Sequence, residues 1–140
     1  QVSDTRTGEV LSTLTRMKDD EHIPFEFVQR GDREAALKAY LDLKAADPNN
    51  EVVNEEALNS FGYQLLSAHL TQQAQDLFYV NMKLHPQSAN VYDSYAEACL
   101  KLGDKAQALE YYTRAAAMDA KNENAKRIIG ELEEQGVRIE

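Results

Sequence analysis

The chain has 140 residues, 43% of them apolar, one cysteine and a formal net charge of −9. That is enough for one domain with a core or a short array of repeats, and too apolar for a disordered chain. The acidic balance argues against nucleic acid and against an anionic membrane surface, both of which need clustered Lys and Arg. No apolar run approaches the roughly 20 residues that span a bilayer, and the start shows no signal-peptide pattern. The chain opens on Gln1 rather than Met, as a processed product or a piece of something longer would. A lone Cys99 excludes an internal disulfide, which suits the bacterial cytoplasm or periplasm equally.

In chain order, Val10, Leu11, Leu14 and Met17 recur at helical spacing, so 8–18 is predicted to be a helix. The stretch "DDEHIPFEF" (19–27) follows, and Pro24 there calls for a helix that starts late, kinks or is irregular. Next comes "GDREAALKAY" (31–40), which is said again almost word for word as "GDKAQALEYY" (103–112), with a blurred copy, "HLTQQAQDLF" (69–78), between them. A shift of 34 residues carries Ala74 to Ala108, Phe61 to Tyr95, Leu65 to Cys99 and Phe78 to Tyr112. It also carries Asn54 to Ser88 and on to Asn122, three residue types suited to capping a helix N-terminus. The first copy lies 38 residues before the second, so about four residues are inserted near 49–52. The segment 123–135, with Ala125, Ile128, Ile129 and Leu132 on one side, reads as a capping helix, and "GVRIE" after it as a frayed tail.

A 34-residue period with two amphipathic helices per unit resembles the tetratricopeptide repeat. The expected fold is therefore all-α: an α-α superhelix of helix-turn-helix repeats with a C-terminal capping helix. Its divisions are an N-terminal helix and divergent first repeat (1–50), two repeat units within 51–122 (54–87 and 88–121), and the cap with its tail (122–140). Close crossing of the two helices in a unit needs a small face, so Gly62 or Ala96 is expected opposite Ala74 or Ala108. Pro48 and Pro86 stop the second helices.

The wording of 54–126, in particular "NEEALNSFGYQLL", Asn81 and "SANVYDS", further resembles the repeat segments at the carboxyl end of bacterial serine hydrolases. These are β-lactamase-related or penicillin-binding-protein-like enzymes, or esterases of the α/β-hydrolase type. The resemblance implies an accessory module that follows a catalytic domain. The catalytic half itself is missing: no Ser is followed three residues later by Lys, and no Gly-x-Ser-x-Gly elbow occurs.

Other chemistry is thin. His22, His69 and His85 are isolated and read as exposed loop or helix-end residues, the acid pairs as solvated faces, and Cys99 as a small buried hydrophobe. No cofactor or metal ligand set is expected, and the chain reads as a non-enzyme. The resemblance to the repeat family implies a concave groove lined by the inner helices. Here its lining is Asn59, Ser60, Tyr63, Ser67, Asp93, Ser94, Glu97 and Lys101. It would take a protein or peptide segment, or a catalytic domain of the same parent chain. Asp93 and Glu97 favour a neutral or basic occupant. The groove departs from the family's chaperone-type carboxylate clamp, which wants Lys and Asn where Asn59 and Tyr63 stand. Leu77, Tyr79 and Val80 are read as an apolar patch on an outer helix that could drive homodimerisation.

Overall fold

A computed structural model describes the backbone from residue 19 to 140 and side chains from Pro24 onward; the helix expected at 8–18 lies outside the described residues. The described residues form seven α-helices and no strand: α1 (Asp19–Gln29), α2 (Arg33–Ala46), α3 (Glu55–Ser67), α4 (Thr71–Leu84), α5 (Ala89–Lys101), α6 (Lys105–Met118) and α7 (Glu123–Glu134). A single 3-10 turn, Glu51–Val53, fills the insertion between α2 and α3. Sequential helices pack on one another except α2 and α3, which both meet the 3-10 turn between them, and the units lean on each other as α2 reaches α4 and α3 reaches α5. This is the stacked α-α architecture of tetratricopeptide-type repeats.

The hairpin turns explain the repeated Gly-Asp. At the end of α1, the Gly31 N–H bonds to the Val28 carbonyl (3.1 Å) and the Asp32 N–H to the Phe27 carbonyl (2.9 Å). This pair of bonds closes a helix through a residue in the left-handed region, and Gly31 has φ +76°. Asp32 then caps α2 by accepting from the Ala35 N–H. Gly103 (φ +84°) and Asp104 repeat both roles, Asp104 accepting from the Gln107 N–H. The middle turn makes the same two backbone bonds, His69 to Leu66 and Leu70 to Leu65, with neither preferred residue. His69 stands at φ +64°, and Leu70 offers α4 no side-chain cap.

Pro24 does not break α1, which runs through it as one helix. The missing N–H is offset by burial: Pro24 is buried, Phe25 and Val28 are fully buried, and the Phe25 ring lies 4.6 Å from that of Phe61 on α3. The expected N-caps hold at Asn54 and Asn122, whose side chains accept from Glu56 and Ala57 and from Ala125. Ser88 does not cap α5; its hydroxyl donates to Glu55 in the previous unit at 2.8 Å. A charged acceptor one repeat away outcompetes the local amides.

At the close crossing of the middle unit Gly62 faces the Phe78 ring, one turn from Ala74: a Cβ added there would lie 2.2 Å from Phe78 Cε1. Ala74, Ala96 and Ala108 are all fully buried.

On the side of the array away from α3 and α5's exposed faces, one residue spans three units. Arg33, at the start of α2, donates from Nε to Asp76 Oδ1 (2.9 Å), from Nη2 to Gln75 Oε1 (2.7 Å) and from Nη1 to the Tyr95 hydroxyl (3.3 Å). Its guanidinium also lies 4.5 Å over the Tyr79 ring. Gln75 and Asp76 are buried inside α4, and Gln75 passes the chain on by donating to Cys99 Sγ at 3.3 Å. The Cys99 thiol is buried, and burial pushes it up from its ordinary value.

Candidate functional site

The concave face is built from alternate helices, α3 and α5, with the start of α7 at its edge. Asn59 and Tyr63 stand one turn apart on α3; Asp93, Ser94 and Glu97 do the same on α5. The 34-residue register brings the two sets into contact. Ser94 Oγ donates to Asn59 Oδ1 at 2.7 Å, and the Tyr63 hydroxyl donates to Glu97 Oε1 at 2.8 Å. The Tyr63 oxygen also lies 3.4 Å from Ser94 Oγ. The Tyr63 ring meets Phe78 edge-on at 5.1 Å, so the residue that holds Glu97 is itself seated on the core.

The structure therefore brings five of the expected residues into one polar cluster. Ser94 corrects the sequence reading: it is buried beneath the groove rather than lining it, because its hydroxyl is consumed between Asn59 and Tyr63. Ser60, Ser67 and Lys101 are exposed, and no hydrogen bond joins Ser60 or Lys101 to that cluster among the described residues.

Electrostatics mark the face as anionic and partly dry. Burial pushes the Tyr63 phenol up to about 12, with Glu97 and Asp93 adding to the rise. Asp93 is raised chiefly by burial and further by the Glu97 charge, against a hydrogen bond from Asn122. Its Oδ1 is closed off from solvent and has no hydrogen-bond partner. Neither Asp93 nor Glu97 has a Lys, Arg or His within ion-pair distance among the described residues. Burial likewise raises Tyr112 beneath them, with the Asp93 and Glu97 charges next.

The arrangement can accept hydrogen bonds and balance a positive charge. It holds no nucleophile–base pair. Among the described residues no three His, Cys, Asp or Glu side chains group as a metal site would need, and no helix is long and apolar enough to cross a membrane.

Asn122 was missed as a site residue although the 34-residue register points to it: it caps α7 with its oxygen and turns its amide to Asp93. Arg33, Gln75 and Asp76 were missed too, since no spacing rule pairs residues more than 40 positions apart.

The dimer patch expected at Leu77, Tyr79 and Val80 is not there. Leu77 and Val80 are fully buried, because α4 is covered on two sides by α3 and α5 and also meets α2. Of the three, only Tyr79 reaches the surface. His85 is also less exposed than expected: its Nε2 lies 2.8 Å from the Val53 carbonyl and ties the loop after α4 to the 3-10 turn.

No protein-family model matches the chain, and no curated protein does. Solved structures do. The chain is similar to a mutant form of MamA over 86% of its own length and 85% of that chain's, at 18% identity and a TM-score of 0.67. It is similar to a second MamA crystal structure over 86% of its length, at 23% identity and a TM-score of 0.55, and spans 66% of that chain. PcrH in complex with the chaperone binding region of PopD aligns at 19% identity and a TM-score of 0.47, over 91% of this chain and 89% of that one. At these identities the likeness to MamA supports the repeat fold and says nothing about partners.

Proposed function

We propose that the chain is a non-catalytic protein-interaction module that receives a polypeptide segment on its concave face. The observation that carries this reading is the Tyr63–Asp93–Glu97 cluster. Two carboxylates lie on an inner helix without a cationic partner, one of them held in place by a core-anchored tyrosine from the neighbouring unit. Such a face suits a neutral or basic segment, whose backbone and side-chain donors match acceptors already oriented.

The test is a displayed peptide library selected on the full chain, with the winners retested on the triple variant Tyr63→Ala/Asp93→Ala/Glu97→Ala. Affinity should fall about tenfold or more while the helical circular dichroism is kept. Winners that bind the triple variant as well as the parent overturn the assignment of the face.

The finer reading is that this module accompanies a serine-hydrolase-like domain of the same parent chain, the wording of 54–126 being its support; a free-standing adaptor is the alternative. An antibody against 54–126 that detects a native product well above 15.8 kDa supports the former, and a band near that mass supports the latter.

A further inference from the structure

The outer side of the array carries a second surface of opposite chemistry. Between α4 and α6, over α5, four tyrosines run as a ladder. Tyr79 and Tyr95 have ring centroids 6.0 Å apart, Tyr95 meets Tyr111 edge-on at 4.8 Å, and Tyr111 stacks on Tyr92 at 6.4 Å. Tyr95 is buried and forms the floor, while Tyr79, Tyr92 and Tyr111 are half-buried. Cations sit along the ladder: Lys83 Nζ lies 5.3 Å from the Tyr79 ring centre, and the Arg114 guanidinium 4.9 Å from that of Tyr111.

What this seam offers is donors. Among the described residues the Tyr79 and Tyr111 hydroxyls have no hydrogen-bond partner, and neither is closed off from solvent. Lys83 is exposed and has no carboxylate within ion-pair distance among the described residues. Arg114 gives Nη2 to Glu110 at 3.0 Å, with its side chain 54% exposed. On a molecule of net charge −9, the seam is a local reversal of sign floored by aromatic surface. Tyr and Arg together are the side chains that most often anchor protein interfaces.

We propose that this outer seam docks an acidic segment of a partner protein. Its carboxylates would meet Lys83, Arg114 and the two free phenols, and its backbone would lie along the Tyr79–Tyr111 surface. Charge complementarity selects the occupant: on a chain of net charge −9, an acidic segment is favoured where cations flank an aromatic floor. The proposal is independent of the concave face and uses none of its residues.

The test is fluorescence anisotropy of labelled octaglutamate, octaglutamine and a ten-residue deoxythymidine strand against the full chain at low salt. Octaglutamate should bind at least about tenfold more tightly than octaglutamine. Lys83→Glu/Arg114→Glu should abolish that preference, and Glu110→Gln should tighten binding about twofold by removing the competing carboxylate. Should the charge reversal disturb the fold, Tyr79→Phe/Tyr111→Phe removes only the two hydroxyls and should weaken octaglutamate about threefold. The Asp93→Ala/Glu97→Ala variant should not weaken it. Absence of a preference for octaglutamate, its survival in the folded charge-reversed variant, or tighter binding of the deoxythymidine strand each overturns the proposal.

Discussion

The two sides of this array are held by different chemistry. On the outer side, Arg33 of the first unit is bonded to Gln75 and Asp76 of the second and to Tyr95 of the third, with the Asp76 side chain only 4% exposed. On the concave side, adjacent units meet through a neutral serine–asparagine bond and one tyrosine–carboxylate bond, and Asp93 and Glu97 have no counter-ion among the described residues. The outer side locks the curvature of the stack. The concave side leaves negative charge unbalanced, as a face for a basic segment must. The side-chain bonds that tie three units together thus lie on the outer side, and the unbalanced carboxylates on the concave one.

The sharpest way to break the comparison is to remove the two locks separately. Arg33→Ala strands a buried carboxylate and should cost about 2–4 kcal/mol, Gln72 still donating to Asp76 at 3.0 Å. Tyr63→Phe, which deletes the bond to Glu97 and the longer contact with Ser94, should cost about 1 kcal/mol. Urea denaturation of both variants checks the ratio, and equal losses would erase the distinction. Next in size is Gly62→Ala, which drives a methyl into the Phe78 ring and should cost roughly 1–3 kcal/mol, read as a lowered melting temperature. His69→Gly should act in the opposite direction, stabilising by about 1 kcal/mol, because the left-handed turn penalises any side chain there.

The smallest effect is a pH dependence of the concave face. A carboxyl raised by burial binds protons more readily folded than unfolded. The Asp93 contribution therefore favours the folded state at acid pH and is lost as pH rises from its ordinary value of 3.8 through its higher folded value. Asp93→Asn should raise the melting temperature at pH 7 and leave it nearly unchanged below about pH 3. An equal gain at both pH values would show that burial of the charge is not the cause.

Much of the fold was legible because repetition exposes it. Ala36, Ala74 and Ala108 with Tyr40, Phe78 and Tyr112 mark the second helices, and the buried set contains all six. The concave cluster was legible for the same reason, since Asn59 with Ser94 and Tyr63 with Glu97 are near-equivalent positions of successive units. What stayed hidden breaks the repeat. Arg33, Gln75 and Asp76 satisfy one another across units, whereas Lys105, at the position of Arg33 in the last copy, donates to Gln135 instead. Leu77 and Val80 looked like one helix's outer stripe until three neighbours covered it. Pro24 reads as a breaker locally, while the burial of Phe25, against Phe61, and of Val28 favours an unbroken helix.

Hydrogen exchange on the parent and on Arg33→Ala, read helix by helix, tests the division of labour most directly. The account predicts that amides of α1 and α2 lose protection in the variant, while α5, α6 and α7 keep theirs and Tyr63→Phe leaves all of them unchanged. Uniform loss along the whole array, or a larger loss in Tyr63→Phe than in Arg33→Ala, would contradict it.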